Sequence, residues 1–201
     1  MHRRLSPLEQ TAEAGILAGI AAALPMVLFA MIASATYQGR GLFTPMYHIA
    51  FVVDPDTFPT SLKAASVGDV AFFRNQPFFF GFAIHVFVGG FYGLIFGLTG
   101  RALRQLPQGR AAVAAGVVYG LVVMAFMSLV VLPYAGSLFG AGRPISDMGG
   151  EVGWVTFALQ HAIYGAGLGV WLRWRPQDVG LELASPKFQA PAPGSRRADL
   201  S

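Results

Sequence analysis

Four apolar stretches, each long enough to cross a membrane, dominate this sequence. They cover about residues 12–35, 78–99, 111–134 and 153–172, and Glu13 is the only Lys, Arg, Asp or Glu within them. A helix needs about 20 mostly apolar residues to cross the hydrocarbon core of a bilayer. The sequence therefore predicts an all-α integral membrane protein, in which residues 1–175 form a four-helix bundle with the lipid bilayer around it.

Composition and charge favour the same class of protein. The chain is 54% apolar and 12% charged and has 25 glycines among 201 residues, with no cysteine for disulfides or thiolate sites. The net charge of +4 does not indicate a nucleic-acid partner, because most of the basic residues lie in three segments. These are the N-terminus, the loop between the second and third apolar stretches, and the tail. The positive-inside rule then puts both termini in the cytoplasm. Arginine outnumbers lysine 12 to 2, a bias typical of GC-rich bacterial genomes, which indicates a bacterial inner membrane.

A histidine followed by two glycines at helical spacing occurs in two of the four stretches. His85 precedes Gly89 and Gly93, and 76 positions later His161 precedes Gly165 and Gly169. Residues four apart lie on one helix face, so each histidine stands above a glycine-lined groove that another helix or a flat ligand can approach closely. Ionisable side chains at membrane depth are costly and face the bundle interior. The pattern predicts an interior site at matching depth on two helices.

The first and third stretches also resemble each other. Gly15 and Gly19 are matched at a constant offset of 101 by Gly116 and Gly120, with similar residues around them. Both halves of the chain thus place a glycine pair in the first helix and the histidine pattern in the second. The sequence predicts two duplicated antiparallel helical hairpins related by an axis along the membrane normal.

The connections between the stretches are of different kinds. Residues 37–77 form a long loop, predicted to lie outside the membrane, with a short interfacial helix at about 45–53 that begins at Thr44-Pro45 and ends before Asp54-Pro55. His48 and three aspartates of this loop could bind a metal, but their spacing favours a solvated loop. The glycine-rich second outer loop, AGSLFGAGRPISDMGGEVG, is predicted to be irregular, and residues 176–201 to be a disordered cytoplasmic tail.

Three interpretations of the two histidines remain open. In the first, His85 and His161 bind a cofactor, either as the two iron ligands of a b-type haem or as partners of a quinone, with Gly89, Gly165, Tyr92 and Tyr164 around it. Arg74 and Arg143 would then lie near the haem propionates. In the second, the histidines, the tyrosines and Gln160 form a path for a proton or small solute. In the third, they are hydrogen-bonding contacts of a structural scaffold.

No enzyme class is indicated by the sequence. There is no phosphate-binding loop with its lysine, no HExxH and no nucleophile elbow. We therefore expect a non-enzymatic protein that binds a cofactor or a partner subunit within the membrane. It could act as an accessory subunit of a respiratory or transport complex, or as a homodimer.

Three segments resemble those of a known group of proteins. They are FALQHAIYGAGLGVWL, the GLFTP segment before a short apolar helix, and AGVVYGLVVMAFMSLVVLP. Over about residues 11–175 they are similar to the YagU-like group and related four-span bacterial inner-membrane families of unknown function. The resemblance implies a multi-pass inner-membrane location and, through a link of that group to acid resistance, a role related to pH. His85 and His161 are the residues carried over.

Overall fold

A computed structural model describes residues 5–102 and 109–174, and every regular element in these ranges is helical. The helices are α1 (Pro7–Ala35), α2 (Thr44–Ala50), α3 (Thr57–Ser66), α4 (Asn75–Ala102), α5 (Arg110–Phe126), α6 (Leu132–Leu138), α7 (Gly142–Ser146), α8 (Met148–Val152) and α9 (Trp154–Trp174). A π-helical turn, Met127–Val131, joins α5 to α6. The predicted tail, residues 176–201, lies outside the described residues.

Three helical stretches in the described residues are long and apolar enough to cross a membrane. They are Pro7–Ala35, Asn75–Gly100 and Arg110–Leu138, the last combining α5, the π turn and α6. Large apolar side chains on them face outward, such as Phe87 at 75% and Leu129 at 77% exposure. Exposed apolar surface of this extent is typical of contact with lipid, so the structure indicates a membrane protein.

The fourth predicted stretch is the 21-residue helix α9. It is not one of the three helical stretches that are both long and apolar enough to cross a membrane. Gln160 and His161, which are strongly polar, stand side by side in it and lower its mean hydropathy. Whether α9 crosses the membrane therefore stays a prediction.

The first long helix begins at a capping box. The Ser6 hydroxyl accepts a hydrogen bond from the Glu9 backbone N–H, and the Glu9 carboxylate accepts one from the Ser6 N–H. Pro7 follows in the first turn, where its missing N–H costs nothing. These local signals fix the start of α1 before the apolar stretch begins.

Glycines allow the long helices to pack with their backbones in contact. α1 packs along α4, and α5 packs along α9, while α9 also contacts α1. A Cβ added at Gly19 would overlap the carbonyl oxygen of Gly89, and one at Gly15 would lie 2.7 Å from the carbonyl oxygen of Gly93. In the other pair, a Cβ at Gly116 would overlap the carbonyl oxygen of Gly165. The glycines thus set how closely each histidine-bearing helix, α4 or α9, packs against its own neighbour, α1 or α5.

The connections contain more helix than the sequence indicated. The loop after α1 contains α2, which ends at Ala50, and also α3. The second outer loop was predicted to be irregular, but it contains the short helices α7 and α8. Positive φ angles at Gly140, Gly142 and Gly153 occur where the chain turns into and out of these helices. Glycines therefore separate short helices here.

Candidate functional site

An apolar cavity of about 430 Å³ lies among the long helices. Its walls come from α1, α4, α5, the π turn, α6 and α9, and α2 and the α7–α8 segment close one end. Most of the lining is Ala, Val, Ile, Leu and Met. The polar side chains in it are Ser34, Gln38, Arg40, Thr44, His48, His85, Tyr92, Gln160, His161 and Tyr164. A mostly apolar pocket of this size with a few polar groups is typical of a small-molecule site.

His85 and His161 line this one cavity from different helices. His85 Nε2 lies 3.1 Å from the Ala23 carbonyl oxygen on α1, and His161 Nδ1 lies 2.8 Å from the Phe157 carbonyl oxygen one turn earlier in α9. A carbonyl oxygen only accepts, so each of these ring nitrogens carries the N–H. The His161 ring also meets Phe157 edge to face, with centroids 4.5 Å apart. Both imidazoles are thus held in a defined orientation.

The tyrosines singled out from the sequence connect helices through their hydroxyl groups. Tyr164 Oη donates to the Gly89 carbonyl at 2.6 Å, which links α9 to α4. Tyr119 Oη donates to the Tyr92 carbonyl at 2.6 Å, and Tyr92 Oη donates to the sulfur of Met127 at 3.2 Å. These bonds use the phenolic hydrogens within the protein, beside the cavity. Gly89 lines the cavity next to His85, whereas Gly165 lies in the α5–α9 contact.

His48 lies at the end of the cavity closed by α2, and it is buried, not solvated as predicted. It is 2% exposed, and its ring stacks on Phe58 with centroids 4.2 Å apart. Its Nε2–H donates to the Pro144 carbonyl in α7 at 2.6 Å. The sequence suggested a loop residue because the aspartates around it are polar. The helix α2 instead folds inward against α4, at a point where Gly81 has no side chain.

The surroundings of His48 set its protonation. Burial and, to a smaller extent, the nearby positive charge of Arg40 lower the pKa of His48 to about 4, although the hydrogen bond to Pro144 opposes this shift. Unfolded histidine titrates near 6.5. Between these pH values the unfolded chain binds a proton that the folded chain excludes, so the folded state loses stability as the pH falls from about 6.5 to about 4.

Replacing His48 by glutamine is expected to remove most of that pH dependence. A shift of this size corresponds to about 3 kcal/mol of unfolding free energy, since one pKa unit is about 1.4 kcal/mol. Glutamine keeps an N–H for the Pro144 carbonyl but does not titrate. Thermal unfolding at pH 4 and pH 7 in the same detergent measures the difference. Phe58→Leu is the control, because it removes the stacked ring and keeps the imidazole; an unchanged pH slope in His48→Gln would contradict the account.

Sequence reasoning missed several parts of the cavity. Ser34 is buried and donates to the Gly41 carbonyl at 2.7 Å, and Arg40 and Gln38 bind the Glu151 and Val152 carbonyls at 2.6 Å. The polar residues at and just after the end of the first apolar stretch could have indicated these contacts. The π turn at Met127–Val131 was a second missed feature. It ends two residues before Pro133, whose missing N–H disrupts regular helical pairing there.

The residues expected around a haem are only partly gathered at the cavity. Within residues 5–102 and 109–174, no three His, Cys, Asp or Glu side chains group as they would around a metal ion. Arg74 and Arg143, expected near haem propionates, do not line the cavity, and Arg143 instead pairs with Asp147 at 3.4 Å on the surface. Each imidazole keeps one nitrogen that no described residue hydrogen-bonds, so ligation of haem iron by His85 and His161 stays a prediction.

Comparison with known proteins finds no relative for this chain: no family model, no curated protein and no solved structure matches it. The resemblance to the YagU-like group stays a prediction.

Proposed function

We propose that this chain is a non-enzymatic, multi-pass inner-membrane protein that binds a small apolar molecule between His85 and His161. The observation that carries the proposal is the largely apolar cavity of about 430 Å³ that both histidines line. Such a pocket within a helix bundle suits a quinone-like molecule or a lipid fragment, which reaches it from the bilayer. We favour this class of ligand over haem, because neither Arg74 nor Arg143 lines the cavity.

The proposed arrangement is a four-span bundle of two related hairpins, α1 with α4 and α5 with α9. Both pairs pack through glycines at the positions that match in sequence, which supports a duplication. Their registers differ by one helical turn. A Cβ at Gly19 would meet Gly89 and Gly93, whereas one at Gly120 would meet His161 and Gly165. His161 therefore lies about one helical turn nearer the start of α5 than His85 lies to the start of α1.

Cysteine labelling tests this arrangement, because the chain has no cysteine of its own. With both termini in the cytoplasm, a cysteine at Val67 should react with a membrane-impermeant maleimide on intact cells. A cysteine at Gly109, between α4 and α5, should react only after the membrane is permeabilised. Labelling of the Gly109 position on intact cells would contradict the proposed orientation.

Filling the cavity is expected to abolish binding. Met26 lines the cavity from α1, and Met26→Trp places a larger, stiffer side chain there. We expect at least a tenfold loss of affinity for a radiolabelled 4-alkylphenol in lipid nanodiscs, because the ring and the probe would occupy the same space. The control is Leu28→Trp on the same helix, which is 57% exposed and should bind as the unmodified chain does. Equal binding by both variants would overturn the proposed site.

The proposed role is that of a binding subunit. A partner subunit of a respiratory or transport complex, or a second copy of this chain, could dock on the exposed apolar faces of the helices. In that setting the cavity would hold the ligand while the assembly acts on it. Cross-linking in native membranes, followed by purification, is the measurement that identifies such a partner.

A further inference from the structure

The hydrogen bonds around the cavity point to the chemistry of the ligand's polar group. We infer that the ligand carries a hydroxyl group that donates a hydrogen bond to an imidazole nitrogen, as a phenol, a quinol or an alcohol does. This inference rests on the proposed function and narrows it, because a quinone or ketone of the same shape has only acceptors to offer.

Four donor side chains that line the cavity already have partners within the protein. The N–H groups of His85 and His161 donate to the Ala23 and Phe157 carbonyls. The hydroxyl groups of Tyr164 and Ser34 donate to the Gly89 and Gly41 carbonyls. A hydroxyl group has one hydrogen and a neutral imidazole has one N–H. These four side chains have therefore used their N–H or O–H hydrogens within the protein.

Each of the two imidazoles also keeps one nitrogen that carries no hydrogen. Nδ1 of His85 and Nε2 of His161 are the ring nitrogens that keep a lone pair, and no described residue donates to either. Turning a ring into the charged imidazolium would supply a second N–H, but a charged side chain is costly at membrane depth. Each of the two histidines that line the cavity therefore keeps one acceptor nitrogen for a ligand. A ligand with acceptors alone would leave both lone pairs unpaired, at a cost that favours a donor.

A polar side chain next to His161 can form a second hydrogen bond with the ligand's hydroxyl group. Gln160 precedes His161 in α9, is 7% exposed and lines the cavity. Its amide supplies both N–H donors and a carbonyl acceptor. A hydroxyl group can donate to an imidazole nitrogen and accept from the Gln160 amide at once. An ether or ketone oxygen can use only the amide.

Matched probes in lipid nanodiscs test the inference on the full chain. The probes are 4-heptylphenol, which donates, and its methyl ether, which only accepts, with each affinity corrected for partition into protein-free nanodiscs. We expect the phenol to bind about fivefold more tightly, since a hydrogen bond contributes about 1 kcal/mol and 1.4 kcal/mol is a factor of ten. Decanol compared with its methyl ether extends the test to aliphatic alcohols.

Two variants test whether the imidazoles cause the preference for the phenol over its methyl ether. His161→Phe keeps a ring beside Phe157 and removes one of the two acceptors, so the phenol should lose its advantage over the ether. His85→Phe tests the other imidazole in the same way. Thermal unfolding shows whether each variant folds. If phenol and ether bind equally to the unmodified chain, the inference is wrong and the proposed cavity site stands. If neither binds, the proposed function itself is wrong.

Discussion

Replacing Gly19 by leucine is expected to destabilise the protein by about 3 kcal/mol or more, or to prevent it from folding. A Cβ at Gly19 would already overlap the carbonyl oxygen of Gly89, and the Cα of Gly93 lies within 2.9 Å of that position. Backbone atoms cannot move aside as side chains do, so α1 and α4 would have to separate. Thermal unfolding in detergent and size-exclusion profiles measure the effect.

The control for this substitution is Ala21→Leu on the same helix. Ala21 is exposed on the outer side of α1, where a leucine would face lipid. We expect it to change stability by less than about 0.5 kcal/mol, as surface substitutions usually do. If Gly19→Leu unfolds at the same temperature as Ala21→Leu, the backbone contact between α1 and α4 is not what holds these helices together.

Replacing Gly81 by alanine is expected to displace α2 and open the end of the cavity that it closes. A Cβ at Gly81 would overlap the carbonyl oxygen of Met46, which is backbone. Five of the seven residues of α2 are buried, and Ala50 has no exposed surface. The loss of this packing should cost about 1–3 kcal/mol, although alanine favours helix over glycine by up to about 1 kcal/mol.

Maleimide labelling of a cysteine at Ala50 reports the position of α2. We expect it to react at least tenfold faster in Gly81→Ala than in the Ala50→Cys chain alone. Gly90→Ala, on the same helix, is the matched control, because the Cβ there would meet side-chain atoms of Ile20 at 3.3 Å that can adjust. Equal labelling rates in the Gly81 and Gly90 variants would show that α2 does not depend on this contact.

The helical class was readable from the sequence because it depends on local apolar length. A stretch of about 20 apolar residues predicts a long helix whatever surrounds it, and three of the four stretches meet that description in the structure. The glycine pairs were also visible, because close helix packing requires small residues at helical spacing. What the spacing could not give is which turn of one helix meets which turn of the other.

The candidate site depended on contacts that the sequence does not order. His85 and His161 were singled out by the cost of an ionisable group in a membrane, and the structure places both on one cavity. His48 was assigned to a solvated loop, because nothing local shows that α2 packs on Gly81 and reaches Pro144. Contacts between residues 96 positions apart are decided by how the long helices pack.

The most direct test of the account is to find where a bound probe lies. A 4-alkylphenol with a diazirine in its alkyl chain can be bound to the full-length protein in nanodiscs, activated by light and mapped by mass spectrometry. The account predicts labels on cavity residues such as Met26 and Met127 that excess 4-heptylphenol suppresses. Labels confined to outward-facing residues such as Phe87 and Leu129, unaffected by competitor, would contradict it.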